Sequence, residues 1–254
     1  MTQSQPPILP VAFVGAGPGA AEMLTLGALR AIEGADVVIH DRLVGPEVLA
    51  LIPAHVTRVD VSKEGFGPST PQSAINALIV GHALTGARVV RLKGGDPGIF
   101  GRLDEEMTAL EAHGIPFRVL PGLTSATVAA AAIGQSLTQR GRNRGLRIVT
   151  GHDMDGFADQ DWAALARTGE VAAIYMGKKA SRFIQGRLMM HGAAPTTPVT
   201  LVENASRADQ RVVSATLATL ADEAGCLNGP AILLYGLAPR AAVHALTDLN
   251  EATG

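Results

Sequence analysis

The sequence predicts an α/β fold built in two halves, and three observations carry that reading. Short apolar, β-branched runs recur along the chain without polar alternation, the pattern of strands buried on both faces. Segments with apolar residues at helical spacing lie between them, and the alternation is that of an α/β protein. Near the middle, Thr138–Gly145 is polar, arginine-rich and without periodicity, which marks it as a linker.

In chain order, strands are expected at Val11–Val14, Asp36–His40, Arg88–Leu92, Phe117–Leu120, Leu146–Thr150, Val171–Met176, Val199–Val202 and Ala231–Tyr235. Helices are expected at Ala20–Ala35 (with Met23, Leu26, Leu29 and Ile32 in register), Thr70–Thr85, Leu103–His113 and Ala180–His191. Gly114 sits where a left-handed helix cap belongs. Asp96 and Pro97 suit the N-cap and first residue of a helix. The division is then a flexible tail over 1–10, an N-terminal α/β domain over 11–140, a C-terminal α/β domain over 141–243 and a tail over 244–254.

Composition removes several classes of function. With 254 residues, 47% of them hydrophobic, the chain can fill real cores, while 17% charge is low against roughly 25% for an average soluble protein. A surface short of charge suggests a homo-oligomer. A net charge of −2 argues against broad binding to nucleic acid. One cysteine, Cys226, allows neither an intramolecular disulfide nor a cysteine metal cage. Seven histidines show no metal-ligand spacing, and no metal is expected; His152 and His191 read as structural, Trp162 and Tyr235 as packing residues. The first ten residues lack the pattern of a signal peptide, and no window approaches the ~18 apolar residues of a membrane span. The cytoplasm is the expected compartment, and Asn204-Ala205-Ser206 a chance match to a glycosylation sequon.

Gly15-Ala-Gly17-Pro-Gly19-Ala20 after the first strand, with Asp41 ending the second, matches a dinucleotide-binding fingerprint. The fingerprint is short, and open α/β sheets in general turn tightly on glycine at this point. No later segment supplies an apparatus for hydride transfer.

Longer motifs accompany it: Val14-Gly-Ala-Gly-Pro-Gly19, Asp41-Arg-Leu-Val44, Arg91-Leu-Lys-Gly-Gly-Asp-Pro97 with Ile99-Phe-Gly-Arg102, Glu105-Glu106, Gly114-Ile-Pro-Phe117, Pro121-Gly-Leu-Thr-Ser-Ala126, Leu137-Thr138 with Arg140, Tyr175-Met-Gly177, Val202-Glu-Asn204 and Asp209-Gln-Arg-Val212. In this order the chain resembles the tetrapyrrole (corrin/porphyrin) methylase family, and within it the enzymes that C-methylate uroporphyrinogen III. The resemblance implies two α/β domains with the cofactor in the cleft between them, a homodimer, and S-adenosylmethionine as methyl donor, with S-adenosylhomocysteine as product. It implies two methylations, on rings A and B, giving precorrin-2 via precorrin-1.

The resemblance places Pro18, Gly94, Gly95, Asp96, Ile99, Thr124, Ser125, Met176 and Ala205 at the cofactor. Their chemistry leaves other roles open: Asp96 as a helix cap, Thr124 and Ser125 as caps, Met176 as a core residue. Ala205 stands where the family motif has glycine, a change that a backbone contact would survive. Uroporphyrinogen carries eight carboxylates, and arginine's planar fork pairs with a carboxylate in two places. Arg42, Arg102 and Arg140 are assigned to it, with Glu105, which could instead pair with an arginine. Arg142 and Arg144 read as solvated loop residues. Asp41 is implied as general base and Lys63 as proton donor, although Asp41 could instead hold Arg42 or a pyrrole N–H. Gln139 replaces the usual histidine beside Arg140, His40 a common tyrosine, and Leu103-Asp104 a Gly-Gly pair. Some family members are fused to a dehydrogenase–chelatase module; here later steps would fall to separate proteins. The alternatives are a later precorrin or another substrate of the same fold, a dinucleotide-binding oxidoreductase, and a cofactor-binding regulator.

Overall fold

The structure, a computed structural model, describes residues 7–62, 70–153 and 156–240. The chain divides into two compact units, Met1–Thr124 and Ser125–Gly254.

The first unit contains β1 (Val11–Gly15), α1 (Leu26–Glu33), β2 (Val37–His40), α2 (Pro46–Ala50), β3 (Thr57–Asp60), α3 (Gln72–Leu84), β4 (Val89–Lys93), α4 (Leu103–Glu111) and β5 (Phe117–Leu120). Its strands form one sheet in the order β3-β2-β4-β1-β5, with every pairing parallel. Side chains alternate between faces along a strand, and both faces are apolar. Ala12, Val14, Val38, Val90 and Leu92 meet Ala28 and Ile32 of α1 and Val48 of α2. Val11, Phe13, Val37, Ile39 and Val89 meet Ile75 and Ile79 of α3 and Leu110 of α4. The helix after β1 therefore covers one face and the helix after β4 the other. Adjacent β1 and β4 thus form a switch point, where chains leaving their C-terminal ends diverge and open a crevice.

The second unit contains α5 (Ser125–Ala132), β6 (Arg147–Thr150), α6 (Trp162–Leu165), β7 (Ala172–Tyr175), α7 (Gly177–Met190), β8 (Pro198–Glu203), β9 (Arg211–Thr216), α8 (Leu220–Gly225) and β10 (Ala231–Tyr235). Its sheet runs β6-β7-β10-β8-β9. Only β6 and β7 pair in parallel; the other pairings are antiparallel. Trp162, Leu165, Ile174, Ile184, Leu188, Leu201 and Leu233 fill one core beneath α6, α7 and α8. Two antiparallel steps make β8 run the same way as β6 and β7, so the C-terminal ends of those three strands share an edge.

Several expectations are revised. The units part after Thr124, not after residue 140. The segment 125–140 belongs to the second unit, because α5 packs on β10 and Gln135 Nε2 donates to Ala238 O at 2.7 Å. Two strands, β3 and β9, lie outside the expected set. Both are sheet edges with largely exposed residues, so neither carries an apolar run. The segment 20–35 is a 3-10 turn (Ala21–Met23) followed by α1, which Thr25 caps by accepting from Ala28 N. Asp96 and Pro97 begin a turn rather than a helix. Gly114 is left-handed at φ 64°, and Ile115 N donates to Leu110 O across it.

Candidate functional site

In the first unit, the loops after β1, β2, β4 and β5 converge at the C-terminal edge of the sheet. Ala16 N donates to Lys93 O at 2.8 Å. Gly17 and Gly95 exchange hydrogen bonds, 3.1 Å from Gly17 N to Gly95 O and 2.7 Å in return. A methyl group on Gly15 would strike the Gly122 backbone, one on Gly122 would strike Gly95 O, and one on Gly94 would sit 2.6 Å from Leu43 Cβ. These glycines are required by close approach of four backbones. Gly95 differs: its φ is +74°, and nothing lies within 4 Å of where a Cβ would project. Space is left open on the crevice side of this residue alone among the four.

Asp96 organises the crevice. Its Oδ1 accepts from Gly98 N at 2.8 Å and its Oδ2 from Gly122 N at 2.9 Å, tying the loop after β4 to that after β5. Each oxygen keeps a second lone pair. Pro18 and Ile99 are partly buried on the flanking loops, and Thr124 closes the segment after β5. The Gly15–Ala20 turn is not a phosphate cradle, since no helix of more than one turn begins there and α1 starts only at Leu26.

Asp41 follows β2 at the same edge. Its Oδ1 accepts from Leu43 N at 3.0 Å, and its Oδ2 lies 3.8 Å from Arg91 Nη2. Arg42 is exposed on the same loop. Lys63 lies outside the described residues. Arg102, itself left-handed at φ 54°, opens α4 and forms a two-point pair with Glu105, 2.7 Å at each contact. The Arg102 guanidinium holds the Glu105 carboxyl below its ordinary value. Arg102 Nη1 takes no part in that pair, so the guanidinium keeps donors for a second carboxylate.

In the second unit, Met176, Gly177 and Ala205 lie at the edge shared by β6, β7 and β8. Met176 is left-handed at φ 52°, half exposed, and opens α7; the core role is thereby excluded. Ser125 begins α5, whose Ala126 N donates to Tyr175 Oη at 3.2 Å. Ala205 is buried between Asn204 at φ 50° and Ser206 at φ 66°, and its own φ is not positive. The backbone at 205 therefore has no need of glycine. Among the described residues, the non-glycine residues with positive φ are Phe100, Arg102, Met176, Asn204 and Ser206, and each falls in or beside the motifs noted above. Such conformations are uncommon and persist where surrounding structure imposes them.

Arg140 is exposed, in a loop closed by the Gln139–Asn143 bridge. Arg142 is not a solvated residue: it donates to Ser136 O at 2.6 Å and to Asn143 Oδ1 at 3.1 Å. At the departures from the family pattern, His40 is buried with Nδ1 3.4 Å from Asp41 O, and Leu103 packs on the α3–α4 core.

Beneath this edge lie buried charges to which the sequence motifs assign no role. Arg91, Lys93 and Glu106 are 3%, 4% and 1% exposed. Glu106 accepts from Arg91 Nε at 3.1 Å and from Lys93 Nζ at 3.0 and 2.9 Å. Burial, then the Arg91 charge, pushes the Lys93 pKa down. The available signal was two cations at i and i+2 in an otherwise apolar strand, hence on one buried face. Glu203 is a second buried acid. It accepts from Asn228 N at 2.5 Å and from Gly229 N, and pairs with Arg211 at 3.2 Å.

A family model described as Tetrapyrrole (Corrin/Porphyrin) Methylases matches residues 10–221. The chain belongs to the tetrapyrrole methylases. A siroheme synthase of Edwardsiella ictaluri is 47% identical over 227 residues, covering 89% of this chain and 49% of the relative. One of Xylella fastidiosa is 44% identical over 236 residues, covering 92% and 50%. The chain thus spans about half the length of the curated relatives it matches. Among solved structures, a Thermus thermophilus uroporphyrin-III C-methyl transferase complexed with S-adenosyl homocysteine is 38% identical, with TM-score 0.76 over 89% of this chain and 97% of that one. A cobalt precorrin-4 methyltransferase superposes with TM-score 0.79 at 23% identity, which shows that the methylase fold is shared. Among the described residues, no group of side chains could hold a metal ion, and no helix is long and apolar enough to cross a membrane.

Proposed function

We propose that this methylase transfers methyl groups from S-adenosylmethionine to carbon atoms of uroporphyrinogen III, on rings A and B, giving precorrin-2 via precorrin-1. The observation that carries the reading is the glycine-walled crevice at the β1–β4 switch point with a carboxylate, Asp41, at its rim. The complex of the 38% identical Thermus thermophilus relative with S-adenosyl homocysteine supports the choice of cofactor.

The residues fit such a cofactor. Gly95 leaves room for a ligand against the backbone, and Asp96 can accept from a hydroxyl or amine with its remaining lone pairs. We assign Pro18, Gly94, Gly95, Asp96, Ile99 and Thr124 of the first unit, and Ser125, Met176 and Ala205 of the second, to the cofactor. When bound, it supplies an electrophilic methyl group on sulfur. The protein aligns the pyrrole carbon and excludes water, because positioning rather than new chemistry is what it contributes. Arg42, Arg102 and Arg140 bind substrate carboxylates, with Glu105 holding the Arg102 fork in place. Asp41 takes the proton released by the macrocycle, and Lys63 is the proton donor. The enzyme acts as a homodimer in the cytoplasm, with no nucleic-acid or membrane partner, and light scattering tests the dimer.

Anaerobic incubation with S-adenosylmethionine and freshly generated uroporphyrinogen III tests the reaction. The expected product carries two added methyl groups, with S-adenosylhomocysteine formed in step. Binding of the cofactor without methyl transfer would move the substrate to a later precorrin. Binding of NAD in its place would make the chain an oxidoreductase.

A further inference from the structure

Arginine is an unusual residue for the middle of a central strand. On β4 the apolar face ends at Val89, and Arg91 and Lys93 continue the same face toward the crevice. In register, Arg91 lies between Phe13 of β1 and Ile39 of β2. Its guanidinium is held on every side. Nε donates to Glu106 at 3.1 Å, and Nη1 donates to Ile39 O at 3.3 Å and to Leu92 O at 3.1 Å. Glu106 is fixed in turn by Lys93 and by Gln72 Nε2 at 3.3 Å. This leaves Nη2, which faces Asp41 Oδ2 at 3.8 Å.

Stability alone is a weak reason for such a cluster, since an apolar replacement of a buried ion pair is often neutral or stabilising. Charge offers a better one. Arg91 and Lys93 carry two positive charges against the single charge of Glu106, and Asp41 supplies the missing negative charge. Asp41 is also the one member that reaches the surface, with a side chain 30% exposed. Its carboxylate accepts from Leu43 N on one oxygen at 3.0 Å and faces the Arg91 charge with the other at 3.8 Å, an ion pair rather than a hydrogen bond.

We infer that Arg91 is a positioning residue: anchored by Glu106 and two strand carbonyls, it fixes the direction and the counter-charge of the Asp41 carboxylate. The inference rests on the proposed role of Asp41 as the base. Arg91 is buried and Asp41 reaches the surface, so the effect of Arg91 passes through Asp41.

A double-mutant cycle of Arg91→Lys and Asp41→Asn tests it, with kcat and both KM values measured for methyl transfer to uroporphyrinogen III. Asp41→Asn should lower kcat by about 100-fold or more. Arg91→Lys keeps the charge but loses the fork; it should lower kcat about tenfold with both KM values nearly unchanged, the signature of a displaced group. In the Asp41→Asn background, Arg91→Lys should then change kcat less than about twofold. An equal loss in both backgrounds would make Arg91 structural only and overturn the inference while sparing the role of Asp41. Near-wild-type turnover by Asp41→Asn, or no turnover by the wild type, would remove the reading beneath it and the inference with it. If Arg91→Lys fails to fold, the paired Arg91→Gln/Glu106→Gln variant, which removes opposite charges together, enters the same cycle with the same expected outcomes.

Discussion

The two units present similar sheet edges in which glycine contacts and left-handed side chains carry different shares. In the first, the loops pass one another on glycines and the charge beneath them is a buried cluster of two cations and an acid. In the second, the bends are made by left-handed Met176, Asn204 and Ser206, and the buried acid Glu203 is satisfied mainly by backbone amides. Where backbones must touch, only the smallest residue fits. Where the chain must bend while presenting a side chain, the cost of positive φ is accepted.

The largest test of the contrast sets the two buried acids against each other. Glu106→Ala leaves Arg91 and Lys93 without their counter-ion inside the protein and should cost about 3–5 kcal/mol. Glu203→Ala leaves two amides unpaired and an arginine that is half exposed, and should cost about 1–3 kcal/mol. Urea unfolding measures both, and equal losses would erase the distinction. Next in size is Gly122→Ala, whose methyl group meets Gly95 O and the Gly15 backbone. It should destabilise by about 1–3 kcal/mol and weaken S-adenosylmethionine binding by calorimetry. Met176→Gly reverses the sign. Relief of a left-handed conformation at a half-exposed position should stabilise by about 1 kcal/mol while methyl transfer falls. A loss of stability there would mean that the bend is not strained.

The smallest effect lies away from both edges. Arg88 donates to both Asp36 oxygens and holds its pKa down to about 2. A depressed carboxylate stabilises the fold above its unfolded value, and that contribution is lost as pH falls through the folded one. Wild type and Asp36→Asn should therefore differ slightly in melting temperature at pH 5 and converge toward pH 2. Salt should shrink the gap, because the pair is exposed.

The legible parts of the molecule were those whose signal is local. Central strands such as Val11–Gly15 and Ala231–Tyr235 are apolar runs, and the glycine turns at 15–19 and 94–95 punctuate them. The edge strand Arg211–Thr216 was hidden because half of what it presents is solvent-facing. The boundary after Thr124 was hidden because it depends on α5 docking against β10, about a hundred residues away. Of the candidate site, Asp41, Asp96 and the Arg102–Glu105 pair were readable from motifs. The Arg91–Glu106 contact was not, since only the packing of α4 on β4 brings residues fifteen apart onto one buried face.

The position of β1 in its sheet has a consequence for synthesis. Val11–Gly15, buried along its whole length, is flanked by β4 and β5, which begin at Val89 and Phe117. A ribosome must make about 75 further residues before the first flank of this apolar ribbon exists, and about a hundred before the second. Nothing comparable delays β8 and β9, which pair across a short loop. During translation the first unit thus carries an unpaired, sticky segment through most of its own production, and chaperones that bind extended apolar chain should find it there.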